Sequence, residues 1–584
     1  MSSSLRWKSA ALCVLLLVPL ALRLVPIRHG LPRNYVPDTH MVRAALSMAR
    51  DRDLTPPAGK YSIYPNLLPY LLLPCYAGEY ALGKAAGAWN GTVEFGDHLL
   101  DHPEDAEIVA RILVAVFGIL TPLVVFKTAR SAGLGRGAWI AAWLAGTSLL
   151  HVQLSTQERP WIPMTFFMAL AVWPAARYVR DGIGGRLLLS AAAAGLAAAC
   201  HQGGLPALAI PGLAWLFGPL EWKRRDLARR AGQGLLAVAV FGATAIALGY
   251  PHLVRHGIHP ERVMGAEAIA EQGGMSIGGL TFISTLRWES VPRLAWTLFG
   301  YDPAIVVLGV GGLAFGLARR ELRAPSIFLV LWSAFFMTNQ SDHVRYLLPA
   351  LVFLCWPAGL LAEDLVQRKW GTAVLAVALA FPAVQSARLA WLLTRPDTRA
   401  DAEEELTSLK PGSRVAIDRH GPEVDLDRAS LARLDRLRTS VGESLRAREA
   451  RRKEQFDAGT LPVGEEGIDA VRVEELFEVD DRRGRIEVKK GLGALGEDPE
   501  SVLRALGVTH LLLVDRRPGS RLEHRLEPVR EGASAIHVFD PSSGRLRTTP
   551  EALLPTEMDF PLTALWRVER PGPWMALYEL AGSR

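Results

Sequence analysis

The stretch "IVARILVAVFGILTPLVVFKTAR" (residues 108–130) carries a single charge, Arg111, before it is closed by Lys127 and Arg130. A helix needs roughly twenty predominantly apolar residues to cross the hydrocarbon core of a bilayer, and this run supplies them. Comparable runs recur at 9–27, 138–155, 161–179, 186–201, 204–220, 231–250, 298–318, 325–338, 345–362 and 371–393. Together they predict a polytopic α-helical membrane protein with about eleven transmembrane helices. The run at 9–27 follows a basic N-terminus without a small-residue cleavage pattern after it, so it is expected to be a retained anchor. The chain has 584 residues, is half apolar and carries a formal charge of +6. Its basic residues cluster in short connections between apolar runs, so the charge does not point to a nucleic-acid partner.

Those connections give an orientation. Arg130 and Arg136, then Arg177, Arg180 and Arg186, then "EWKRRDLARR" (221–230), then Arg319, Arg320 and Arg323, then Arg368 and Lys369 occupy every second short connection. The alternate ones ("STQERP", "HQGG", "TNQSDHVR") are poor in Lys and Arg. The positive-inside rule then expects the first set, and the N-terminus, in the cytoplasm. Residues 28–107, 251–297 and everything after 393 are expected on the outer face, provided 61–83 does not cross. That segment's prolines and tyrosines suit an interfacial or re-entrant helix. The expected address is the cytoplasmic (inner) membrane, with the C-terminal part extracytoplasmic.

From about residue 400 the long apolar runs stop and charged residues multiply. Short strand-like pieces appear, "SRVAID" (413–418), "THLLLVD" (509–515), "TALWRVE" (563–569) and "WMALYEL" (574–580). "LARLDRLRTSVGESLRAREARRKEQF" (431–456) has helical periodicity and alternating charge, the pattern of a solvated helix. We therefore expect a membrane domain over 1–398 and a soluble α/β domain over 399–584. Of the four cysteines, Cys13, Cys200 and Cys355 lie in apolar runs and Cys75 in an aromatic one, without paired spacing, so no disulfide framework is expected.

Ionisable residues at membrane edges are functional candidates by default. Four clusters fall at outward ends of spans: Asp38 with His40; Asp101, His102, Glu104 and Asp105 in "HLLDHPEDAE"; Glu158 and Arg159 in "STQERPW"; and His201 and Gln202 together with His343, Arg345 and Tyr346 of "SDHVRYLLP". Each has a plain alternative. Asp38 suits a helix N-cap. The Asp101 cluster suits a solvated acidic loop at a helix start. Glu158 and Arg159 could pair with each other, His201 could be a satisfied polar group at a helix end, and Arg345 could snorkel to the interface. No HExxH, P-loop or GxSxG occurs in the sequence; the one metal reading is a divalent cation held with water by Glu158 near Asp38.

Taken in order, the outward Asp38, "AALSMARDRDLTPPAGKYSIYPNLLPYLLL", "ARILVAVFGILTPLVVFKTARSAGLGRGAWIAAWLAGTSLLHVQLSTQERPWIPMTFFMALAV", "HVRYLLPALVFL" and "RPDTRADAEEEL" resemble the membrane glycosyltransferases of the GT-C fold. The similarity is to the bacterial family 39 proteins related to protein O-mannosyltransferases, over residues 9–410. The resemblance implies a polyprenyl-phosphate-linked sugar as donor, drawn from the membrane lipid, and transfer to a glycan, lipid or protein acceptor on the outer face. It also implies that Asp38 is the catalytic carboxylate. Many members carry Asp-Glu where this chain has Asp38-Thr39. Many also carry Lys in a "KPPL"-like stretch where this chain has Tyr64 in "YPNL" with Lys60 just before it. His40, Lys60, Tyr64, Asp101, Glu104, Glu158, Arg159, His201, Gln202, His343, Arg345 and Tyr346 are the substrate-binding candidates. The competing readings are a lipid-linked sugar transporter, for which neither inverted repeats nor interrupted helices in matching halves are legible, and an inactive glycan-binding relative.

Overall fold

The structure, a computed structural model, describes residues 3–35, 40–57, 64–219, 224–257, 274–277, 280–283, 288, 290–338, 344–440, 442–461, 466–480, 485–489, 492–493, 495–515, 533–544 and 560–580. Asp38, Lys60 and His343 lie outside the described residues. The chain forms two compact units. The first comprises residues 1–27, 38–88 and 106–390; the second comprises 28–37, 89–105 and 391–584. The second unit thus takes in two early segments as well as the chain from residue 391 on.

The first unit is helical, as its Ala-, Leu-, Val- and Gly-rich runs require. Among the described residues five helices are long and apolar enough to cross a membrane, or six if one bent pair counts as a single span. The chain is a multi-pass membrane protein. The difference from about eleven expected spans has a physical source: several apolar runs are short or broken helices. Residues 138–155 divide into Arg136–Thr147 and Leu149–Ser155, with Ser148 between them (φ −56°, ψ 127°). The run at 298–318 straddles a 118° bend between Ser290–Tyr301 and Pro303–Ala318. Asp302 occupies that bend. Its carboxylate accepts hydrogen bonds from the Ser148 hydroxyl (2.9 Å) and the backbone N–H groups of Leu149 (2.8 Å) and Leu150 (3.2 Å). One buried acid therefore satisfies the free N–H groups that the other break exposes.

Leu348–Leu365 is the most enclosed of the apolar helices. Small residues let its neighbours approach closely; a Cβ at Gly359 would lie only 2.6 Å from the Gly137 carbonyl oxygen. This is the small-residue packing typical of membrane helices, where dispersion contacts replace the hydrophobic drive.

The second unit contains a five-stranded mixed sheet in the order Ala470–Arg472, Val415–Ile417, His510–Asp515, Trp574–Glu579, Ser534–Phe539. The first three strands are parallel and the last two antiparallel to their neighbours. Alternation places Ala416, Leu511 and Leu513 in one core and Val415, Ile417, Leu512 and Val514 in another, so the central strands are buried on both faces. Two sequence expectations change. Part of "TALWRVE" forms the helical turn Leu562–Leu565 rather than a strand, entered from Pro561. Residues 431–456 fall on two helices, Arg428–Ser440 and Ala447–Ala458, separated by Gly442 at φ 79°. The first of these buries Leu431, Leu434 and Leu437 at helical spacing, so it is a packed amphipathic helix and not a solvated one.

Candidate functional site

Three chain breaks in the first unit bring side chains together. Trp161 opens the Trp161–Asp181 helix directly after Pro160. His201 ends the Gly184–Cys200 helix and begins the 3-10 segment Gln202–Leu208. Arg345 and Tyr346 lie in the 3-10 turn Val344–Leu347, which leads into Leu348–Leu365. The His201 ring centre is 4.1 Å from that of Trp161 and 5.1 Å from that of Tyr64. Tyr346 meets Trp161 edge-on at 4.7 Å. The Arg345 guanidinium lies 5.6 Å from the Trp161 ring centre and 6.0 Å from that of Tyr346.

Tyr346 and His201 are each held by further contacts. Phe336 stacks on Tyr346 at 5.6 Å, and the Trp332 indole donates to the Tyr346 carbonyl at 3.2 Å. His201 Nδ1 accepts from the Gly203 N–H at 2.9 Å. The neutral ring therefore carries its proton on Nε2, as a donor. Arg345 is buried to 8 % exposure, and aromatic faces suit a guanidinium, which is weakly hydrated. The group thus offers a cation, an N–H donor and several aromatic faces, which is the chemistry that receives a phosphate and a sugar ring.

Trp161 is the member that sequence reasoning did not single out. It stood at the end of the quoted "STQERPW", but an aromatic residue at a span start reads first as core. Its indole N–H is buried and has no hydrogen-bond partner among the described residues.

The structure gives Glu158 a partner that the sequence did not suggest. Arg111 binds its carboxylate at 2.8 Å with both side chains fully buried, and Arg111 also donates to the Ile27 carbonyl at 3.0 Å. Arg159 donates weakly to Gln157 Oε1 at 3.4 Å. Arg111 had been read as part of an apolar run, and its partner lies 47 positions away. No group of three His, Cys, Asp or Glu side chains able to hold a metal occurs among the described residues.

Asp101 and Glu104 belong to the second unit. Asp101 lies 3.5 Å from Arg451 and accepts from Gln455 at 3.3 Å; Asp97 lies 3.3 Å from the same arginine. Glu104 stands in the first turn of Pro103–Ser131, 3.5 Å from His102. His40 begins the His40–Asp51 helix and accepts from Arg43 at 2.7 Å. Gln202 follows His201 and is partly buried. The structure therefore gathers Tyr64, His201, Arg345 and Tyr346, adds Trp161, and gives Asp101 and Glu158 ion-pair partners.

A family model described as dolichyl-phosphate-mannose-protein mannosyltransferase matches residues 102–248. Among solved structures, ArnT from Cupriavidus metallidurans in the apo state is similar at 16 % identity and TM-score 0.48, over 71 % of this chain and 83 % of that one. The same enzyme bound to undecaprenyl phosphate gives 16 % identity and TM-score 0.47 over the same shares. The archaeal oligosaccharyltransferase AglB from Archaeoglobus fulgidus, in complex with an inhibitory peptide and a dolichol-phosphate, gives 12 % and 0.44 over 87 % of this chain and 69 % of that one. No curated protein matches the chain.

Proposed function

We propose that this membrane glycosyltransferase, of the GT-C family 39 type that its sequence resembles, moves a sugar from a polyprenyl-phosphate donor to an acceptor on the outer membrane face, with Asp38 as general base. The observation that carries the reading is the group formed by Tyr64, Trp161, His201, Arg345 and Tyr346. The matched family is itself described by a lipid-phosphate sugar. In the proposed step the Asp38 carboxylate takes the proton of the acceptor hydroxyl. The freed oxygen attacks the anomeric carbon as the bond from that carbon to the phosphate oxygen breaks, and the electron pair leaves on the phosphate. A phosphate is already a good leaving group, so the site must supply cations and N–H donors and not a strong acid. Arg345 and His201 would supply these, with Lys60 as a further cation read from the sequence. The aromatic faces would hold the sugar ring.

The test is incubation of the purified, lipid-reconstituted protein with a panel of radiolabelled polyprenyl-phosphate sugars and membrane extract, followed by mass analysis of the products. A labelled product made by wild type and lost with Arg345→Ala supports the reading. Donor movement across the bilayer without any glycosylated product would overturn it in favour of a transporter.

A further inference from the structure

Trp161 differs from the other indoles of its unit in what its N–H does. Trp143, Trp173, Trp215, Trp332 and Trp356 each donate to a protein oxygen at 2.8–3.2 Å. Trp356, which is as buried as Trp161, reaches the Val125 carbonyl at 3.1 Å. Buried cations are answered in the same way. Arg111 meets Glu158, and in the second unit the Arg33 guanidinium is clamped between Glu403 and Asp425, its Nη2 lying 2.6 Å from an oxygen of each. The Trp161 side chain is 1 % exposed, and its N–H has no such partner among the described residues. Buried polar groups in folded proteins are nearly all hydrogen-bonded, so an exception asks for an explanation. Here the exception stands beside His201, Tyr346 and Arg345.

We propose that the Trp161 indole N–H is a specificity determinant, donating a hydrogen bond to a hydroxyl oxygen of the lipid-linked sugar. The proposal rests on the donor reading given above. A phosphate oxygen is the rival acceptor. Arg345, however, lies 5.6 Å from the Trp161 ring centre, and a charged donor binds an anion about twice as strongly as a neutral one. The phosphate therefore goes to the guanidinium, and the neutral N–H is left for a neutral oxygen. Contacts with His201 at 4.1 Å and Tyr346 at 4.7 Å fix the indole ring, so its N–H is held in one place. A ligand that lacks the matching oxygen leaves this buried donor unpaired. Sites built in that way discriminate far more strongly than an apolar pocket does. Trp161 thus governs which sugar is accepted.

The experiment uses the full chain in nanodiscs and two variants. Trp161→3-benzothienylalanine keeps the bicyclic ring and removes only the N–H; Trp161→Phe is the second variant, and the isostere decides if Phe fails to fold. Dissociation constants are measured by thermophoresis for a short-chain polyprenyl phosphate, for the same lipid carrying each panel sugar, and for monodeoxy forms of the sugar that binds tightest. In wild type one deoxy form should bind about tenfold to a hundredfold more weakly than its parent. In the variants that preference should shrink to about threefold or less, while the sugar-free phosphate binds as it does to wild type. The isostere should melt no lower than wild type, because it removes an unpaired buried donor. A hydroxyl preference that survives in the isostere overturns the inference. So does weakened binding of the sugar-free phosphate, or a wild type to which no panel sugar adds affinity. Binding does not depend on turnover, so an intact hydroxyl effect without any transfer would sink the transferase reading alone.

Discussion

Arg345 carries its charge among aromatic faces, and this sets what a conservative change does. Lysine keeps the charge but loses the planar fork and most of the stacking on Trp161 and Tyr346. With about 1–2 kcal/mol at stake in a desolvated cation–π contact, Arg345→Lys should raise the apparent KM for the lipid-linked donor roughly fivefold to thirtyfold. Titration of the donor in the transfer assay checks this. Asp38→Asn separates cap from base, because Asn caps a helix about as well as Asp but accepts no proton. Membrane insertion should be normal and turnover should fall at least about a hundredfold; transfer near the wild-type rate would leave Asp38 a cap. Glu158→Ala should behave differently again. It removes one partner of a fully buried ion pair, a change that typically costs about 3–5 kcal/mol in proteins, so lowered yield and melting temperature should precede any kinetic effect. Tyr64, His201, Arg345 and Tyr346 were legible because polar residues at span ends are conspicuous against apolar runs. Arg111, Trp161 and Asp302 were not, since an isolated charge or aromatic residue inside a span shows its purpose only when a partner tens of positions away is known.

Among the elements, the apolar runs announced helices but not where those helices break. The Ser148 and Asp302 breaks satisfy each other across 154 positions, and no periodicity of 3.6 residues reports such an exchange. In the second unit the charge pattern of 431–456 was readable as helix, whereas its division at Gly442 depends on a positive φ. The Arg428–Ser440 helix is tied through Arg438 to the helical turn Val473–Leu476, by Glu475 at 2.5 Å, and to the Ala447–Ala458 helix, by Glu449 at 2.5 Å. Burial alone would raise the Glu475 carboxyl, but the Arg438 hydrogen bond and the charges of Arg438, Arg446 and Lys489 outweigh it and hold it below the ordinary range. Asp425 is lowered likewise, with burial opposed by Arg33, Arg448 and Arg452. A carboxyl depressed in the folded state contributes its stability above the unfolded value, near 4, and loses it as pH falls through the folded value. These carboxyls therefore leave the second unit's melting temperature unmoved from neutral pH down to about 5 and lower it steeply below about 4, added to the loss below about 6.5 that comes from His510, whose burial holds its imidazole below the ordinary value. Glu475→Gln should flatten that acid limb, as read by circular dichroism at a series of pH values.

For the whole molecule the membrane orientation remains a sequence inference, and it is directly testable. Arg320 and Glu497 are both exposed and belong to different units. A cysteine at 497 should react with an impermeant maleimide in intact cells, and one at 320 only after the membrane is opened. Labelling at 320 alone would invert the topology. The Arg33 clamp carries a consequence for how the molecule is made. Its partner Glu403 lies 370 positions later in the chain. At translation speeds of 5–20 residues per second, roughly 20 to 75 seconds pass between synthesis of the arginine and synthesis of its partner. Membrane helices are laid down during that interval while the segment preceding Asp38 waits for its seat. The nascent chain therefore cannot assemble that segment until the ribosome is well into the last third of the message, and a product cut short before residue 403 would be inserted in the membrane but unclamped.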